Sequence, residues 1–287
     1  MGTVGGSALP GGVMMRTRDR VGVAVRREED GAIVTETFEL VPSTSRWMRL
    51  PLMRGVFAIR SAVSTGQRSM AISEKLRWEE LRRPGDDSEP EEDEGVGFWG
   101  KVAIGFGALV GAGLQIAAFR IGPIVIAKEA GLEGAAFIVA DATIRLVLLL
   151  GMLLVMSLFR PFRKILKYHG AEHKAIAAYE AGAPITASAA GGFSRFHPRC
   201  GTSFLVVSAM VSIVVYGAVL AITGVFTYAA LIATRLIGAP VVTAIAFEMQ
   251  RQASRHADGR LRFLSWPGMW AQKLTTAPPD PPELEVA

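Results

Sequence analysis

The run His169-Gly-Ala-Glu172-His173 sets two imidazoles and a carboxylate within five consecutive positions. On a helix, His169 and His173 lie one turn apart on one face, where they can share a metal ion. Glu172 is placed to act as general base on a water activated beside them. The order H-x-x-E-H is that of an inverted zinc-peptidase signature. A five-residue pattern also arises by chance, so its weight depends on what else the chain brings. Further along the same segment comes His197-Pro-Arg-Cys200, whose imidazole and thiol at i and i+3 make a ligand pair for zinc or another borderline metal. Cys200 is the only cysteine and stands next to the start of a long apolar run, a position that suits ligation or nucleophilic reactivity. Glu180 lies three helical turns beyond His169 on the same face. Glu248, 75 residues past His173, is where an inverted zinc peptidase would supply a glutamate ligand. Lys174, Arg195 and Arg199 are the cations nearest these groups and would hold an anionic part of a substrate.

Each of these residues also has a bland reading. Cys200 can be a small buried filler and His197 the cap of a turn. Glu248 can pair with Arg251 or with loop cations. His256 falls in a polar turn and is given no role. What favours metal binding is that His169, His173, His197 and Cys200 share one segment between apolar runs.

Those apolar runs must position the site. Half of the 287 residues are hydrophobic and mean hydropathy is +0.33, which is high for a soluble chain. The apolar residues crowd into 98–160 and 201–249, the pattern of membrane spans rather than of one large core. The first span begins near Phe98 and continues to Ala127. The second, about Gly134–Phe159, carries Asp141 and Arg145, four apart and able to neutralise each other. Gly201 to Thr234 has no charged residue. As one helix it would be about 50 Å long, so a break is expected near Thr223–Tyr228. That leaves a third span over about Ser203–Ile222 and a fourth over about Ala230–Glu248, with Pro240 inside it.

An even number of spans puts the N-terminal region, the 161–202 loop with both motifs, and the 250–287 tail on one side. Arg160, Arg163, Lys164 and Lys167 follow the second span, and Arg251 and Arg255 the fourth, while the opposite turn Lys128–Glu133 is net acidic. The positive-inside rule places the basic side in the cytoplasm. The expected protein is a multi-pass resident of the plasma (inner) membrane, with both termini cytoplasmic and the bilayer as its partner. The net charge of +5 lies beside the spans and forms no basic stripe, which argues against nucleic acid. A homo-oligomer or a membrane partner protein stays open. One cysteine excludes an internal disulfide framework.

Ahead of the spans, residues 1–12 are small and glycine-rich and are expected to be disordered. Val21–Val25 and Ala32–Phe38 flank Asp30-Gly31, a β-hairpin signal. Residues 44–82 read as a helix interrupted at Pro51. Residues 84–97 read as an acidic linker that closes the N-terminal 1–97 region. The MGTVGGSALPGG start has no charged-then-apolar pattern, so insertion is expected to use the internal spans. The expected fold is thus an all-α membrane bundle of about four transmembrane helices (98–160 and 203–249) with a small cytoplasmic β-hairpin and helix region.

Tyr168-His-Gly-Ala-Glu-His-Lys174, Tyr179-Glu-Ala-Gly182 and His197-Pro-Arg-Cys-Gly-Thr-Ser203, taken in order, resemble the YqhQ-like family of bacterial membrane proteins. Gly12-Val-Met-Met-Arg16, Arg54-Gly55-Val56, Phe247-Glu248 and Pro267–Thr276 match it too, so the likeness runs along nearly the whole chain. The chain departs from it at Gly11, where that family has glutamate, and at the proline-rich Pro279–Pro282. The family is one of unknown function, described as predicted metal-dependent enzymes. The resemblance therefore implies a membrane location and supports a divalent metal, zinc foremost, without supplying a substrate. Two functions are carried forward: a metal-dependent hydrolase at the cytoplasmic membrane face, and a non-catalytic scaffold or adaptor with a structural His/Cys cluster. A transporter using Asp141, Arg145 and Arg235 ranks third, because four spans leave little room for a pathway and no inverted repeat is visible.

Overall fold

A computed structural model describes residues 4–40, 50, 53–78, 98–255 and 266–287. The acidic linker, the Pro51 interruption and His256 lie outside the described residues.

The N-terminal hairpin turns out to be half of a four-stranded antiparallel sheet, ordered β1 (Gly5–Leu9), β2 (Gly12–Arg16), β3 (Arg20–Arg26), β4 (Ile33–Glu39). The Asp30-Gly31 turn joins β3 to β4, with Asp30 accepting from the Ala32 N–H at 2.9 Å. Residues 5–9, expected to be disordered, form β1 instead. They pair with β2 residue for residue, Gly5 with Arg16 through Leu9 with Gly12. Their small side chains hide the strand from any pattern of alternation, yet they suit a strand laid close against a helix. Both faces of the sheet are covered. Val21, Val23 and Val25 pack with Ile72 and Leu76 of α1 (Met53–Trp78). On the other face Val13 packs with Tyr168 and Val286.

Among the described residues, four helices are long and apolar enough to cross a membrane: Gly105–Glu129, Gly134–Leu158, Gly201–Thr223 and Tyr228–Ala253. The first is composite: α2 (Phe98–Ile116), a π-helical turn (Ala117–Ile121) and α3 (Gly122–Glu129). The second is α4 (Gly134–Leu158), the third α7 (Gly201–Thr223), and the fourth belongs to α8 (Tyr228–Arg255), which continues through Pro240. The expected break falls at residues 224–227, which are not helical. Four apolar helices of this length imply a bilayer environment.

The chain divides into two compact units. One comprises Leu81–Leu149 and Ser212–Ala239. Its apolar core gathers Ile124, Phe137 and Leu231. Here Asp141 accepts from two arginines, Arg145 and Arg235, the latter at 2.7 Å, and Arg145 also donates to Ser212 at 3.0 Å. The i,i+4 pair read from the sequence is therefore part of a three-residue cluster.

The other unit comprises Met1–Glu80, Leu150–Val211 and Pro240–Ala287, and contains the sheet, α1 and the motif-bearing segment. That segment is largely helical: α5 (Arg160–Glu180), then the short α6 (Ala187–Gly191) and a turn at Pro198–Arg199. Pro161 suits the first turn of α5, where its missing N–H costs nothing. The tail folds back as α9 (Trp266–Thr275) and α10 (Pro281–Val286). The Ala277 N–H donates to Leu166 O at 2.9 Å, so the tail crosses directly over α5. A Cβ on Gly170 would stand 2.2 Å from Ala277 O, which is why this crossing needs glycine.

Candidate metal centre

His169 and His173 project from one face of α5 with ring centroids 4.5 Å apart. Cys200, the residue before α7, meets them from the other side of the motif segment. One donor atom from each of the three lies within 4.8 Å of the others. The Cys200 Sγ is 3.2 Å from His169 Nε2. His173 and Cys200 are buried and His169 is nearly so.

Each imidazole is oriented by the backbone. His169 Nδ1 lies 2.7 Å from Thr275 O, and His173 Nδ1 lies 2.5 Å from Arg195 O. A carbonyl only accepts, so both Nδ1 atoms carry hydrogen and donate. In the neutral rings both Nε2 atoms are then lone pairs facing the cluster. Backbone carbonyls that fix histidine tautomers in this way are the usual outer shell of a metal site.

Glu172 lies between the rings, its Oε2 3.9 Å from His169 Nε2 and 3.8 Å from His173 Nε2. Its side chain is 4 % exposed, and Oε2 has no hydrogen-bond partner among the described residues. A buried carboxylate oxygen without a donor is costly, and a cation or a water between the rings would satisfy it. Burial pushes the Glu172 carboxyl up to about 7, opposed only by the nearby His169. A cavity of about 40 Å³ is lined by His169, Glu172, His173, His197, Cys200 and the backbone of Gly5 and Gly6. That is room for a metal ion or a water or two. Strand β1 closes it: a Cβ on Gly6 would fall 2.5 Å from Glu172 Oε1.

The remaining candidates stand around this cluster. The His197 ring centroid is 5.8 Å from that of His173. Its Nδ1 accepts from the Arg199 N–H at 3.4 Å, so Nε2 carries the hydrogen and faces Glu180 Oε2 at 3.3 Å. Burial lowers the pKa of this ring. Glu180 also pairs with Arg199. Lys174 donates to Gly191 O and Phe193 O, each at 2.6 Å, and burial lowers its pKa. Arg195 stacks its guanidinium over Phe196, 5.0 Å from the ring centre, and lends its carbonyl to His173. Glu248 receives both arms of Arg54 and lies 3.7 Å from Arg251. The structure thus brings together His169, His173, Cys200 and Glu172. It engages His197, Glu180 and Arg199 with one another, and Glu248 with Arg54.

Three supports escape sequence reasoning. Gln272 is fully buried; its Oε1 accepts from the His197 N–H at 2.8 Å, and its Nε2 donates to His197 O at 2.7 Å and Ser203 Oγ at 2.9 Å. It locks the turn that carries Cys200. Thr275 supplies the His169 carbonyl, and its hydroxyl bonds Thr202, which bonds Cys200 Sγ at 3.0 Å. Gly6 supplies the lid. The clue to the first two is the run Pro267–Thr276, which carries polar residues at helical spacing among apolar ones.

The profile of a family described as "Protein of unknown function (DUF1385)" matches residues 50–287. The chain belongs to this family. It is 30 % identical over 293 residues to "Uncharacterized protein YqhQ" of Bacillus subtilis (strain 168), an alignment covering 99 % of this chain and 89 % of that one. No solved structure matches.

Proposed function

We propose that His169, His173 and Cys200 hold one divalent metal ion, and that the protein is a hydrolase working at the cytoplasmic face of the plasma membrane. The observation that carries this reading is the spending of both histidine Nδ1–H groups on backbone carbonyls, which leaves both Nε2 lone pairs facing a buried thiol. Zinc is the favoured ion, because two imidazoles and a thiolate are its ordinary donors. A bound zinc ion would supply Lewis acidity to a substrate oxygen or a water. Glu172, beside both rings, would take the proton from the attacking water and return it to the leaving group. The His197–Glu180–Arg199 triplet and Gln272 would hold the Cys200 turn in place, and Lys174 the chain that presents the Arg195 carbonyl. The basic residues after α4 and in late α8, set against the acidic Lys128–Glu133 turn, favour a cytoplasmic site.

The test is zinc content of the purified full chain. About one ion per chain is expected in the wild type, and less than a tenth of that in His169→Ala and His173→Ala. Wild-type protein that takes up no stoichiometric zinc or other divalent ion would end the proposal. A second reading is a closed structural site with Glu172 as fourth ligand, supported by its unpartnered Oε2 between the two rings. Glu172→Gln separates the two: it keeps the metal if Glu172 is the base and loses most of it if Glu172 is a ligand.

A further inference from the structure

Beside the polar cavity lies a larger one of about 360 Å³, and the two share Gly6, His169 and Gly201 as walls. Its other walls are mostly apolar, with Leu153 and Met156 of α4, Ile165 and Leu166 of α5, and Leu274 of α9 beside the hydroxyls of Ser7, Thr202 and Thr275. Leu153 and Met156 belong to a candidate span. Their neighbours Leu154, Val155, Leu158 and Phe159 are exposed and apolar, a surface suited to lipid in a candidate span. The groove therefore runs from a lipid-facing helix end to the imidazole of His169.

We propose that this groove seats the acyl chain of a membrane lipid and presents the carboxylic ester of that chain to the His169–His173–Cys200 centre. The inference rests on the metal-centre reading and names its substrate class. A peptide suits the groove less well, because each of its amides would need a partner. The three hydroxyls there are already engaged: Thr202 and Thr275 bond each other, Thr202 also bonds Cys200, and Ser7 donates to Ala8 O at 3.4 Å. Hydrolysis of an acyl ester consumes one water. The water oxygen bonds to the acyl carbon, the ester C–O bond breaks, and one water proton passes by way of Glu172 to the leaving oxygen.

Two probes test this on the full chain in maltoside micelles. A diazirine-bearing palmitate, photolysed with metal-free protein, should crosslink to peptides containing Met156 and Leu274. Gly201→Leu, whose new side chain starts in open space where the cavities meet, and Ser7→Phe on the exposed strand should each cut that yield at least fivefold. With zinc-loaded protein, octanohydroxamate should bind at least thirtyfold more tightly than acetohydroxamate, from about a two- to fourfold gain per buried methylene. Ser7→Phe should lose that gain while keeping zinc and acetohydroxamate binding. Hydroxamates that bind with no gain for chain length, or crosslinks indifferent to both variants, would overturn the groove assignment and leave the metal centre standing. Acetohydroxamate that fails to bind zinc-loaded protein would overturn an open, catalytic metal centre, and the lipid substrate with it. A leucyl-peptide hydroxamate that outbinds the octanoyl compound would overturn the lipid class.

Discussion

Glu172 is the residue whose position asks most of the fold. A carboxyl almost sealed from solvent, with one oxygen unpartnered, is most stable as the neutral acid. Its folded pKa of about 7 stands above the ordinary 4.5. The stability it contributes in metal-free protein is therefore fully present below about pH 4.5 and lost as pH rises through 7. The charged form costs roughly 3 kcal/mol well above pH 7. Chelator-treated Glu172→Gln should then melt higher than chelator-treated wild type at pH 8.5, with the gap closing by pH 5. His169 and His173 face the same carboxyl, at 3.9 and 3.8 Å. Paired melting curves at the two pH values check this. A wild type whose advantage over the variant is the same at both would mean that Glu172 is not held neutral. Metal loading should reverse the order, because a cation between the rings stabilises the carboxylate.

At the scale of elements, the site is the meeting of α5, the turn before α7, and α9. Gly170 shows how closely they meet. Its missing side chain lets the Ala277 carbonyl lie over α5, and from there the tail delivers Thr275 to His169 and Val286 to the sheet core. Gly170→Ala gains helix propensity but puts a methyl 2.2 Å from a backbone oxygen. Overpacking against backbone costs about 1–3 kcal/mol and outweighs the propensity gain of about 1 kcal/mol. The variant should be less stable than wild type, and limited proteolysis should release the tail first. A more stable Gly170→Ala protein would show that the crossing is slack. The sequence made the spans legible, because an uncharged run from Gly201 to Thr234 is too long for one helix and has to break. It also made the pair His169 and His173 legible, since i,i+4 spacing on a helix is a local fact. It did not show which distant donors join them. Glu248 looked right by spacing but meets Arg54, and His197 turns to Glu180. Those outcomes depend on tertiary packing, which no local period encodes. Strand β1 was hidden for a related reason: Gly5 and Gly6 have no side chains to alternate, and their value lies in how near they let the strand come to Glu172.

For the whole molecule, the chemistry depends on which side of the bilayer the donors face. Cys200 can ligate metal as a thiolate only where it stays reduced, and the cytoplasm supplies that condition. Charge around the spans argues for the same side. Arg160, Arg163, Lys164 and Lys167 cluster at the start of α5, and Arg251 and Arg255 end α8, while the end of α3 and the turn after it, residues 128–133, hold one lysine and two glutamates. Moving the basic groups outward would place six cations on the side that the insertion bias disfavours. The chain offers a clean labelling test, because its one native cysteine is buried and should stay silent. Glu133 in the α3–α4 turn and Pro278 in the tail are both exposed. In intact cells, a membrane-impermeant maleimide should modify Glu133→Cys and spare Pro278→Cys until the membrane is opened. The reverse pattern would put the centre outside the cytoplasm, where an oxidising environment would compete for the thiol. Equal labelling of both would mean that the number of crossings between them is even, and one of the three apolar helices between them, in α4, α7 or α8, would then not span.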